Sequence, residues 1–274
     1  MNPRIFLFCG CLFLQAAVSH ASDNDISPEG RMALSMDKEL WKRAETEHFI
    51  YHFIDEKEAE TILIHSEVYY QWVKDLFGVT EDRWTKKAHI FVFRDEAVWK
   101  DFRARAHPSI VEGEAFTSGW ELFIYRAPFW MNPMRTMAHE ITHVVVFRFL
   151  DGPVPLFLNE GFADFVSFRA LAMQMGTSEF DIHTVQLMDE KDYIPLKDLA
   201  AMTSYPGAFR AFYQESELLT RYLILTYGNK NYYQLLREVS TSQSFEKVLA
   251  RIYGMDLEAL EQKFKDYAIA KKAS

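Results

Sequence analysis

The pattern of hydrophobic and polar positions changes character near residue 130 of the 274-residue chain. Before that point, residues 48–54 and Ala88–Phe93 read as strands rich in aromatic and β-branched side chains. Residues 115–125, rich in Phe, Thr, Trp and Ile and interrupted at Ser118-Gly119, predict a further strand or a hairpin. Helical spacing marks 58–77, which stops at Gly78, and more briefly 95–106. The apolar positions Met32, Leu34, Met36, Leu40 and Trp41 are loosely spaced and predict a helix within 28–46. Beyond 130 the pattern is helical throughout. One helix runs from Pro133, capped by Asn132, to Leu150, where Asp151-Gly152-Pro153 stops it. Another begins near Pro155 or Leu156 and carries residues 159–175, and helices over 212–227, 232–239, Phe245–Tyr253 and Leu257–Ala268 form a tail. Strands first and helices after predict an α+β fold in a single unit spanning 22–274, with a strand-containing part at 22–130 and a helical part at 131–274. No repeat of fixed period interrupts it.

The first 21 residues differ from the rest. Arg4 precedes an apolar run from Ile5 to Val18, and Ser19-His20-Ala21 supplies small residues where a signal peptidase would cut, so cleavage is expected after Ala21. Cys11 after Phe8-Cys9-Gly10 faintly suggests an acylation site, but the apolar run continues past it, as a signal core does. That run is too short for an ordinary transmembrane helix, and no other stretch approaches the roughly 20 apolar residues needed, so the mature chain is expected to be secreted or periplasmic. Both cysteines fall within the leader, which excludes disulfides and thiolate chemistry from the mature protein. Removing the leader takes away Arg4 and no acid. The 30 bases become 29 against 39 acids, a net charge near −10 that argues against nucleic acid as a partner. With 49% hydrophobic residues the chain can build a sizeable core, which excludes disorder.

Chemistry concentrates in His139-Glu140-Ile141-Thr142-His143, in the middle of the first long helix after 130. Residues four apart on an α-helix share a face, so two imidazoles converge on one point. Neutral imidazole is a favoured zinc ligand, and a catalytic zinc usually has three protein ligands with a fourth position left for water or substrate. Glu140 points to the side of that face, where a carboxylate can act as general base without coordinating. His48, His52, His65, His89, His107 and His183 show no second ligand spacing and are expected to be structural.

Downstream the chain reads Asn159-Glu160-Gly161-Phe162-Ala163-Asp164. Together with the H-E-x-x-H helix this resembles the gluzincin zinc metallopeptidases. The flanking residues 47–53 and 244–257 look like exported bacterial peptidase-MA-like proteins. The resemblance implies a thermolysin-like zincin fold and one Zn2+ per chain, held by His139, His143 and Glu160. Asp164 matches the aspartate that accepts a hydrogen bond from a ligand histidine, fixing its tautomer. Gluzincins commonly stabilise the oxyanion with a Tyr or His from the helical region, and Tyr213 is the choice here, with Tyr205, His183 and Arg210 as rivals. No G-x-M-E-N segment occurs upstream, so the feature by which the aminopeptidase branch holds a substrate amino terminus is missing.

These readings predict zinc-dependent hydrolysis of peptide or protein substrates, with Glu140 as general base. Residues 120–125 read equally well as an edge strand against which an extended peptide pairs and as an ordinary buried strand. Two alternatives stand beside this: an exported binding or scaffold protein that keeps a zincin fold without turnover, and zinc-dependent hydrolysis of a non-peptide amide or ester.

Overall fold

The computed structural model describes residues 26–36, 40–79, 86–108, 113–125, 133–177, 188–205, 209–241 and 243–269. The predicted leader at 1–21, the Asn132 cap and His183 lie outside the described residues.

The chain opens with helix α1 (Pro28–Ser35), then β1 (Lys42–Glu45), β2 (Phe49–Phe53), α2 (Glu56–Phe77), β3 (Ala88–Phe93), α3 (Glu96–Ala106), β4 (Ala115–Ser118) and β5 (Glu121–Tyr125). The five strands form one mixed sheet in the order β1-β2-β3-β5-β4. The central pairs β2–β3 and β3–β5 are parallel, and the two outer pairs are antiparallel. Every residue of β2 and β3 is buried, because helices cover both faces. Phe49, Tyr51, Ile90, Val92, Leu122 and Ile124 face the main core, where α2 and the next long helix pack. Phe91, Phe93, Phe116 and Phe123 face the other way and stack with Trp99 and Phe102 of α3.

One expectation is corrected here, and one open reading is decided. The helix expected within 28–46 is confined to α1, and Lys42–Glu45 is a strand instead. Its Lys-Arg-Ala-Glu sequence carries no apolar signal because an outer strand is kept charged, which discourages further pairing. Of the two readings of residues 120–125, the edge strand does not form and the buried strand does. β5 is hydrogen-bonded on one side to β3 and on the other to β4, so the free edge at that end of the sheet belongs to β4. The predicted hairpin is present, and its turn depends on Gly119, whose φ of 61° is one that side-chain-bearing residues rarely adopt.

From α4 (Pro133–Phe149) onward the elements are helical: α5 (Leu156–Met175), a short 3-10 turn at Glu190–Asp192, α6 (Leu196–Ala201), α7 (Phe209–Tyr227), α8 (Asn229–Val239), α9 (Phe245–Tyr253) and α10 (Leu257–Ala268). The α+β order read from the sequence is what the structure shows. Helix α5 lies between α4 and α7 and is buried along nearly its whole length. Gly161 makes this possible. A Cβ there would sit 2.2 Å from the Ser216 carbonyl oxygen and 2.6 Å from Thr220 Oγ1, both on α7. No helix among the described residues is long and apolar enough to cross a membrane.

His48, His52 and His89, outside the motif, make structural contacts. His52 Nε2 and His89 Nδ1 lie 2.9 Å apart in the core beneath α1 and α3, and His48 Nδ1 meets Glu67 at 2.6 Å. On α7, the fully buried Glu215 accepts the Ile194 N–H at 2.8 Å and so ties the segment before α6 to the helix. Burial pushes its carboxyl up to about 8, with Glu261 adding to the rise. An unfolded chain releases this proton near the ordinary carboxylate range, whereas the folded one keeps it. Wild-type stability therefore declines as pH rises from about 4.5 to about 8. Glu215→Gln keeps an acceptor for Ile194 without the titration. Its melting temperature relative to wild type should rise by several degrees, about 1–3 kcal/mol, between pH 5 and pH 8.5. A gap between the two melting curves that does not change with pH would contradict this account of Glu215.

Candidate metal centre

The centre is built from two helices that face each other. Met137, Ala138, Ile141, Val144 and Val145 are the apolar face of α4, buried in the main core. That orientation turns His139 and His143 toward α5, from which Glu160 and Asp164, one turn apart, project back. His139 Nε2 and His143 Nε2 are 3.1 Å apart, and Glu160 Oε2 lies 3.3 Å from the first and 3.7 Å from the second. These three residues can hold a metal ion. In a tetrahedral zinc site with ligand bonds of about 2.0–2.1 Å, neighbouring donor atoms are about 3.3–3.4 Å apart, so the donor set fits in spacing as well as in chemistry.

The surrounding contacts orient these donors. Asp164 Oδ1 lies 3.0 Å from His139 Nδ1, which directs the Nε2 lone pair toward the shared point. The sequence could not say which histidine Asp164 would hold; it is His139. Arg135, one turn before His139, braces this carboxylate at 3.4 Å and reaches Ser167 Oγ at 3.3 Å, its guanidinium lying over the Phe168 ring. His143 is held differently: its Nδ1 is buried with no hydrogen-bond partner among the described residues. Glu140, 7% exposed, stands beside the donors and accepts a 2.7 Å hydrogen bond from Thr117 Oγ1 on β4. The Tyr205 hydroxyl donates to Glu160 Oε1 at 2.9 Å. Tyr213 is half-buried on α7, its ring 6.4 Å from that of His139 and stacked on Tyr205. Arg210 is exposed.

Thr117 and Arg135 went unrecognised in the sequence. Nothing distinguishes a threonine in a short strand, but Arg135 had a signal: it precedes His139 by four residues, so it shares the ligand face. Tyr205 was weighed only as an oxyanion donor.

Electrostatics make this a site that demands positive charge. Burial alone would lower the histidine pKa values, but hydrogen bonds to Asp164 and Glu160 hold His139 well above its ordinary value, and Glu160 raises His143. Burial would raise Glu160, yet the two imidazoles hold it below the usual carboxylate range. Without a cation, the carboxylates favour protons on the histidines.

This is a two-helix imidazole and carboxylate centre of the kind that holds a divalent metal. The sequence matches the Peptidase MA superfamily over residues 107–270, and the chain belongs to that superfamily. No curated protein matches it. Crystal structures of an M1 zinc metallopeptidase from Deinococcus radiodurans, of a mutant of it, and of that mutant bound to a Tyr-Ser-Ala substrate are similar at a TM-score of 0.44 and 14% identity. Each comparison covers 85% of this chain and 52–53% of the other, so the chain spans about half the length of those structures.

A metal ion must displace the protons that the histidines hold. Binding should therefore release protons near neutral pH, and affinity should fall steadily as pH drops. Calorimetric titration of the apo protein with Zn2+ in buffers of different ionisation enthalpy measures the number released. A binding enthalpy independent of the buffer would contradict the charged state assigned to His139 and His143.

Proposed function

We propose that this chain is an exported zinc metallopeptidase of gluzincin type, with one zinc held by His139, His143 and Glu160 and with Glu140 as general base. The observation that carries the reading is the meeting of two imidazole nitrogens and one carboxylate oxygen within 3.1–3.7 Å, with the Glu140 carboxylate at their side, in a member of the Peptidase MA superfamily.

The bound zinc supplies Lewis acidity to a water and to the scissile carbonyl. The protein supplies the rest. His139 and His143 enter as neutral donors, His139 with its remaining N–H directed to Asp164. Glu140 takes the proton of the attacking water and delivers it to the departing amine. Thr117 keeps its carboxylate on the sheet side of the cleft, so the base is oriented before substrate arrives. Tyr213 is the proposed hydrogen-bond donor to the developing oxyanion. Burial pushes its phenol far above the ordinary range, so it keeps its proton. Tyr205 is engaged with Glu160, which leaves Tyr213 the better placed of the two hydroxyls. The free edge of β4, which carries Thr117, is the surface against which an extended peptide would pair.

Purified mature protein is expected to contain one zinc, lost in His143→Ala, and to cleave members of a broad peptide library. Glu140→Gln should keep the metal and lose 10²–10⁴-fold or more in cleavage rate, about what a positioned general base contributes. Zinc retained without cleavage in the wild type would favour the binding-protein reading. No zinc after reconstitution would overturn the assignment.

A further inference from the structure

We propose that Tyr205 fixes the orientation of the Glu160 carboxylate, holding Oε1 away from the histidines so that only Oε2 is offered to the metal. The inference rests on the reading of the site given above and assigns Tyr205 as a positioning residue for the third ligand.

Glu160 is 3% exposed, so its second oxygen has little access to water and needs a donor from the protein. Tyr205 provides it: the hydroxyl meets Oε1 at 2.9 Å, while Oε2 faces His139 at 3.3 Å and His143 at 3.7 Å. One carboxylate oxygen is held by the phenol, and the other by the imidazoles. The terminal torsion of a glutamate is broad, so without such a partner the carboxylate rotates easily. Tyr205 is itself held in place. Its ring stacks on Tyr213 at 6.3 Å with an interplanar angle of 11°, and meets Phe212 edge-on at 6.5 Å. Both partners belong to the start of α7.

Tyr205 is nevertheless 41% exposed and sits in the segment between α6 and α7, so one side of it faces solvent while the hydroxyl reaches a buried carboxylate. A surface aromatic with no role would not direct its polar end inward. Removing the hydroxyl frees the carboxylate to rotate and present both oxygens, which changes the number of donor atoms around the metal as well as the strength of binding.

The test uses apo protein reconstituted with Zn2+ against a chromophoric chelator, and separately with Co2+, whose visible absorption weakens as its coordination number rises. Tyr205→Phe is expected to lower zinc affinity about tenfold, at the lower end of what outer contacts on ligands contribute, and to weaken the cobalt band. The apo melting temperature checks that Tyr205→Phe, which loses one hydroxyl at a partly exposed position, keeps its fold. Wild-type affinity and an unchanged cobalt spectrum in Tyr205→Phe would overturn the proposal while leaving the metal site standing. Failure of the wild type to bind either metal would instead remove the reading on which it rests.

Discussion

Two carboxylates one turn apart on a buried helix are the constraint around which this protein is arranged. Glu160 is 3% exposed and Asp164 8%, in surroundings where an uncompensated negative charge is expensive. Positive charge must come from the facing helix, as protonated imidazole or as a cation held by neutral imidazole. The fold brings α4 and α5 together so that His139 and His143 meet those acids, and Arg135 adds a third positive group beside Asp164. Loss of one partner would leave buried charge unpaired, which is costlier than never having buried the pair.

Such a centre needs rigid walls, and the walls come from both parts of the chain. On one side the sheet and α2 bury the apolar face of α4, which fixes the rotation of that helix and hence the direction of both imidazoles. On the other, α7 packs so closely on α5 that position 161 admits no side chain. The residue after the carboxylate donor is therefore a glycine for reasons of packing. Its absence of a Cβ sets how deeply Glu160 is placed between α4 and α7.

Local pattern made the chemistry legible and left the assembly obscure. The spacing of His139 and His143 carries geometry in itself, because the helix period is known, and the downstream Glu160 and Asp164 share a helix for the same reason. The long helices and the buried strands announced themselves through continuous apolar content. β1 did not, since Lys42–Glu45 is charged and its pairing with β2 is a property of the sheet. Strand order is likewise absent from local pattern. Residues 120–125 looked as suited to an edge as any other aromatic strand, and only the placement of β4 outside β5 shows otherwise. Thr117 and Tyr205 were illegible for a similar reason: each reaches the centre from an element whose position depends on tertiary packing, 23 and 45 residues from its partner.

The way the centre is supported bears on how it would work. Contacts on the acids come from different elements: Thr117 from the outer strand of the sheet holds Glu140, while Tyr205 from the segment before α7 holds Glu160. His139 is fixed through Asp164, but His143 Nδ1 has no such partner among the described residues. The donors are thus unequally constrained. A peptide seated along β4 would lie next to Thr117, so substrate binding and the orientation of the base share one strand. The proposed donors on α4 depend on the sheet as well, since with α2 it fixes the rotation of that helix.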